Sequence, residues 1–193
     1  MSLYQILKNS YDKKQNQKTA LNQFGYVYDS DLSNKNNQVY FNPNTKELLM
    51  SVKGTNPVSA QDVYTDVALT FGKLKDTSRY KESDKKWKQA KSKYNVTSGT
   101  LVGHSLGGII VKYISSSNDK VITLDSASII GQTDRPNATS YRTSGDLVSL
   151  LDANKANTTT LNKEKYGVSD LFGSVEQALS SHEVDQIKNQ ILM

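Results

Sequence analysis

An α/β domain built on a mostly parallel sheet is the fold this sequence predicts, and three observations predict it. Short strand-like apolar runs alternate with helix-length amphipathic segments from residue 48 onward. A glycine-rich turn, Gly103-His104-Ser105-Leu106-Gly107-Gly108, joins the run Thr100-Leu101-Val102 to the helix-like Ile109-Ile110-Val111. The length of 193 residues suits a single domain, 1–193, with a real hydrophobic core, and no internal repeat or linker interrupts it.

The elements follow in order. Residues 2–17 predict a short helix with Leu3, Ile6, Leu7 and Tyr11 on one face. Val39-Tyr40-Phe41 and Leu48 through Val52 predict a hairpin, turned by Asn42-Pro43-Asn44-Thr45. Residues 60–70 read as helix, and glycine and lysine break the piece from Thr70 to Asp76. A second helix is expected from Ser78 to Tyr94, with Tyr80, Trp87 and Tyr94 recurring every seventh residue and Ala90 between them as a core stripe. After the glycine turn and its helix, Lys120-Val121-Ile122-Thr123-Leu124 predicts a buried strand and Thr139 to Thr143 a weaker one. A last helix is expected from near Ser174, carrying Val175, Ala178, Leu179, Ile187 and Ile191.

Composition excludes several kinds of chemistry. With no cysteine there is no disulfide, no thiolate nucleophile and no cysteine metal site, and two histidines make a common zinc site improbable. No metal or cofactor is therefore expected. No run approaches the about 18 apolar residues that a membrane-spanning helix needs, and the N-terminus lacks the apolar core of a signal peptide. The expectation is a soluble chain, cytoplasmic or packaged in a particle by default. Hydrophobic residues make up 36% of the chain, and the mean hydropathy is −0.60. The net charge of +5 comes largely from the segment Lys73 to Lys93. Its plain reading is the solvated face of a helix; its sharper reading is a basic surface facing anionic lipid or nucleic acid. No nucleic-acid module is visible, and no nucleic-acid partner is expected.

The glycine turn carries the chemistry. G-x-S-x-G between a strand and a helix is the setting of a nucleophile elbow, which lifts a serine hydroxyl above the sheet edge. A serine is a poor nucleophile at neutral pH, so Ser105 needs a base, and the base needs an acid to orient it. His104 precedes the nucleophile, so its side chain is expected to turn away into the protein body, which leaves His182 as the base. The acid is expected between Ser105 and His182. Asp146, after a Ser144-Gly145 turn at the end of a strand, is the best placed, with Asp125 as the alternative. The oxyanion that forms on attack needs two donors. The Leu106 N–H is one, and Lys53-Gly54-Thr55, with the Thr55 N–H and hydroxyl, is the loop expected to supply the other.

Together these segments resemble the class 3 lipases, which are α/β-hydrolases. Val52-Lys53-Gly54-Thr55 resembles the family's oxyanion motif, with Lys53 where arginine usually stands. Gly103 to Gly108 matches its elbow, Gly145-Asp146-Leu147-Val148 its acid segment, and His182-Glu183-Val184-Asp185-Gln186-Ile187 its histidine segment. One departure is Asp125-Ser126-Ala127, where the family usually has a Gly-x-Pro turn. The resemblance implies a compact α/β-hydrolase with a Ser105, Asp146, His182 triad and a lid on Ala68 to Leu74, where Leu69, Phe71 and Leu74 would meet a lipid interface. The same segment equally reads as a loop packed on the core. The activity implied is hydrolysis of lipid acyl esters. The alternatives are a small-ester esterase or thioesterase, and a lipase-like module that binds without turnover. Oligomeric state and head group are not legible.

Overall fold

The computed structural model describes residues 1–11, 14–55, 73–127, 135–143 and 157–161. Among these, seven strands form one sheet in the order of the chain: β1 (Val27–Tyr28), β2 (Asn37–Asn42), β3 (Glu47–Val52), β4 (Thr100–His104), β5 (Lys120–Leu124), β6 (Ala138–Thr143) and β7 (Thr158–Leu161). The predicted hairpin is present: β2 pairs antiparallel with β3, Tyr40 opposite Leu49, and β1 pairs antiparallel with β2. From β3 to β7 every neighbouring pair is parallel. All five carboxyl ends therefore lie along one edge of the sheet.

Side-chain alternation sends the two faces to two cores. Leu48, Met50, Val52, Leu101 and Val121 pack against the helices that cross from strand to strand. These are α3 (Ser78–Tyr94), contributing Trp87 and Ala90, and α4 (Leu106–Ile114), contributing Ile109, Ile110, Val111 and Ile114. Tyr40, Leu49, Val102, Ile122 and Leu124 face the other way and pack against Leu3, Ile6 and Leu7 of α1 (Leu3–Tyr11). A four-residue helix, α2 (Lys14–Gln17), follows α1. The stripe read from the sequence is core: Trp87 and Ala90 are buried, with Tyr80 and Tyr94 packed against the cluster.

Helix ends explain the boundaries. At α1, the Ser2 Oγ accepts from the Gln5 N–H while the Gln5 side chain accepts from the Ser2 N–H, a reciprocal capping box. Thr77 caps α3 by accepting from the Tyr80 N–H, and Asn95 ends it in the left-handed conformation at φ 51°. No described helix is long and apolar enough to cross a membrane. Two strands lie beyond the sequence reading. β1 has only two residues, and β7, Thr-Thr-Thr-Leu, buries no side chain fully to mark it. The helix expected over 60–70 and the one from near Ser174 lie outside the described residues.

Candidate active site

The turn between β4 and α4 is as sharp as the glycine pattern demands. Ser105 sits at φ 54°, ψ −125°, a conformation that side chains rarely adopt and that costs on the order of 1–3 kcal/mol. Neighbouring backbone holds it there. The Ser105 N–H donates to the Leu124 carbonyl at 3.1 Å, and the Ser105 carbonyl accepts from Gly108 at 2.9 Å and Ala127 at 3.3 Å. Gly107 lets α4 seat directly on β3, since a Cβ there would stand 2.1 Å from the Val52 carbonyl oxygen. The Ser105 side chain is fully buried, and its Oγ finds no hydrogen-bond partner among the described residues.

The loop after β3 comes up against this serine. A Cβ at Gly54 would lie 2.7 Å from Ser105 Cβ and 3.0 Å from the His104 carbonyl oxygen, so nothing larger than glycine fits. The Gly54 N–H is already engaged, donating to the Tyr11 hydroxyl at 2.8 Å. Thr55 is half-buried and next in line. Leu106, buried, opens α4; the residue four back is in β4, so its N–H has no carbonyl of its own helix to bond.

His104 turns away from the serine as its position predicts. It is buried, and Nδ1 lies 2.7 Å from the Tyr11 hydroxyl, with the two rings edge to face at 5.7 Å. Burial pushes the Tyr11 phenol up to about 12, against the opposing hydrogen bond from Gly54, so it stays protonated at neutral pH. Lys53 lays its ammonium over the Tyr11 ring at 5.4 Å. Burial first, then the nearby Arg79 and Lys35 cations, lower the pKa of Lys53. Arg79, near the start of α3, donates through Nη2 to the Lys53 carbonyl.

Asp125, the alternative acid, is fully buried at the end of β5 with φ 44°. It accepts from the Thr143 N–H at 2.6 Å and from the Thr143 hydroxyl at 2.9 Å, and its own N–H donates to the Tyr141 carbonyl. It thus laces the carboxyl ends of β5 and β6 together. Of the lid residues, Leu74 is buried in a 3-10 turn (Leu74–Asp76) and joins the core beside α3 and α4. Asp146, His182, Leu69 and Phe71 lie outside the described residues.

The basic stretch is mostly consumed within the fold. Four of the six lysines of α3 are engaged: Lys86 with the Leu32 carbonyl, Lys88 with Asp84, Lys91 with Asp119 and Lys93 with Asp29. Tyr11 and Arg79 are the site-flanking residues that sequence reasoning missed. Tyr11 looked like one more apolar position on a helix face, and nothing local to Arg79 marks its carbonyl partner 26 residues away.

A sharp strand-to-helix turn at the carboxyl edge of a mostly parallel sheet, with helices on both faces, is the α/β-hydrolase fold. Solved structures share it. A mutant form of MDLA from Penicillium cyclopium superposes with a TM-score of 0.56 at 12% identity, over 87% of this chain and 80% of that one. The Lip2 lipase of Yarrowia lipolytica gives 0.53 at 12% identity, over 82% and 76%. A deletion mutant of Rhizomucor miehei lipase with its propeptide gives 0.50 at 13%, over 77% and 60%. No family model and no curated protein matches the sequence. The resemblance read from the motifs is thus matched by fold, at very low sequence identity.

Proposed function

We propose that this chain is a serine hydrolase of carboxylic esters, with lipid acyl esters as its first substrate class. One observation carries the reading: Ser105 is held in a strained turn between β4 and α4, its buried hydroxyl without a partner among the described residues, against a loop where only glycine fits. A buried hydroxyl normally finds a partner, because leaving it unpaired costs about 1–3 kcal/mol. Strain and an unpaired hydroxyl at one residue are the signature of a group kept for chemistry.

In this reading Ser105 attacks the ester carbonyl while His182 takes its proton and passes it to the leaving alcohol. Asp146 orients His182. His104 is committed to Tyr11, which supports His182 as base, and the engagement of both Asp125 oxygens by Thr143 supports Asp146 as acid. The Leu106 and Thr55 N–H groups hold the oxyanion; with the Gly54 N–H spent on Tyr11, Thr55 is the donor its loop has left. Water then releases the acid through the same base. The lipases among the solved structures of this fold favour an acyl ester of lipid type over a small ester.

Release of p-nitrophenol from acetate, butyrate, octanoate and palmitate esters tests this, beside Ser105→Ala and His182→Ala. Turnover lost in both variants, with rates rising along the chain series, is the expected result. Wild-type protein inert toward every ester, with and without detergent or anionic vesicles, would overturn it in favour of a binding module.

A further inference from the structure

The Lys53 carbonyl and the Gly54 N–H are two ends of one peptide group, and the structure grips both. Arg79, from α3, donates to the carbonyl, and the Tyr11 hydroxyl, from the end of α1, accepts the N–H at 2.8 Å. The Lys53 N–H is held as well, by the Asn36 carbonyl at 3.1 Å. The residue that follows must be glycine, since a Cβ would strike Ser105, yet glycine is the residue whose backbone wanders most. A loop forced to use glycine beside a nucleophile needs its orientation set from outside. The two side chains reach it from different helices, on opposite faces of the sheet.

We propose that Tyr11 and Arg79 are positioning residues that fix the Lys53–Gly54 peptide plane, and through it the direction of the next N–H, that of Thr55, toward the oxyanion at Ser105. The proposal rests on the hydrolase reading above. Tyr11 also links the loop to the elbow, since the same hydroxyl lies 2.7 Å from His104 Nδ1. The hydroxyl thus bridges the Gly54 amide of the loop and the imidazole of the residue before Ser105. Neither residue touches the reacting atoms. Both act by removing the rotational freedom of the peptide group just before that donor, so that only the Gly54 rotations, confined by the close approach to Ser105, are left to aim it.

Tyr11→Phe and Arg79→Met, singly and together, test the clamp with two readouts: kcat and KM on p-nitrophenyl butyrate, and hydrogen exchange at the Gly54 amide. Tyr11→Phe is expected to lower kcat about 10- to 100-fold with KM within about twofold, because a misaimed oxyanion donor costs the transition state and not the bound substrate. Gly54 amide protection should fall by a similar factor. Arg79→Met should lower kcat in the same manner, and Arg79→Lys, which keeps a donor, should restore part of it. Because both groups hold one peptide plane, the double variant should lose less than the product of the single losses. Unchanged Gly54 exchange in Tyr11→Phe, or lost protection with kcat within twofold of wild type, would overturn the proposal. So would losses in kcat and KM that track a lowered Tm, since a merely structural role predicts those. Wild-type protein that hydrolyses no ester sinks the hydrolase reading by itself; the exchange arm still decides whether Tyr11 holds the loop.

Discussion

The two edges of the parallel sheet are built on opposite terms. At the amino edge, just before β5, Asp119 is buried and its carboxylate accepts from five donors: the Trp87 indole, Lys91, the Gly99 N–H, and the Ser116 N–H and hydroxyl. Asn137, just before β6, donates to the Ser116 and Asp119 carbonyls and closes the same knot. At the carboxyl edge Ser105 is equally buried, yet strained and with its hydroxyl unpaired among the described residues. One edge saturates the Asp119 carboxylate and ties α3, β4, β5 and β6 together. The other leaves the buried Ser105 hydroxyl without a partner among the described residues. The lesson is a division of labour: stability gained where polar groups are saturated offsets strain kept where chemistry is proposed.

That division can be broken from either side. The largest effect should come from Ser105→Ala, which is expected to lower kcat/KM on p-nitrophenyl butyrate on the order of 10⁴–10⁶-fold. Its Tm should stay level or rise, since a buried hydroxyl unpaired among the described residues is removed; a sharp drop in Tm would mean the serine is structural. Asp119→Asn should do the reverse. It leaves Lys91 beside a neutral amide and is expected to cost roughly 3 kcal/mol of stability, on the order of 6–12 °C in Tm, with kcat unchanged. A thermal melt beside an activity assay separates the two edges.

Gly54→Ala should act mainly on activity. Its methyl must push the loop off Ser105, a displacement on the order of 1 Å that is worth about a hundredfold in kcat.

Acid comes next. Burial alone would raise the Asp119 and Asp29 carboxyls, but it is outweighed by bonds from Lys91, Ser116 and Trp87 in one case and from Lys93 and Tyr94 in the other, so both titrate below the usual carboxylate range. Folded pKa values below unfolded ones give stability that is complete above about pH 5. It is lost as pH falls through the folded values. Tm should therefore be flat from neutral pH to about 5 and fall below about 4, and Asp119→Asn should weaken that fall. The smallest effect belongs to Lys88→Gln: its pair with Asp84 sits on the exposed face of α3, and Tm should not move measurably.

Most of the scaffold was written locally. The β2–β3 hairpin, α3 from Ser78 to Tyr94, β5 and the strand–turn–helix at Ser105 all declare themselves through apolar spacing and turn residues, signals that span only a few residues. β1 and β7 were not legible, because short edge strands that bury little carry no apolar period.

Around the site, the sequence by itself determined which serine stands at the elbow, that His104 must turn inward, and which loop faces the nucleophile. Each is a matter of local backbone geometry or of counting the available residue types. Only the tertiary structure decided what those groups meet. Tyr11 reaches Gly54 across 43 residues and His104 across 93. Asp125 binds Thr143 from the neighbouring strand, and Asp119 gathers donors from α3, the approach to β4 and the end of the α4 crossover. Hydrogen bonds of this kind have no period and no motif. They exist because packing two helical layers on a twisted sheet brings distant polar atoms within about 3 Å of one another.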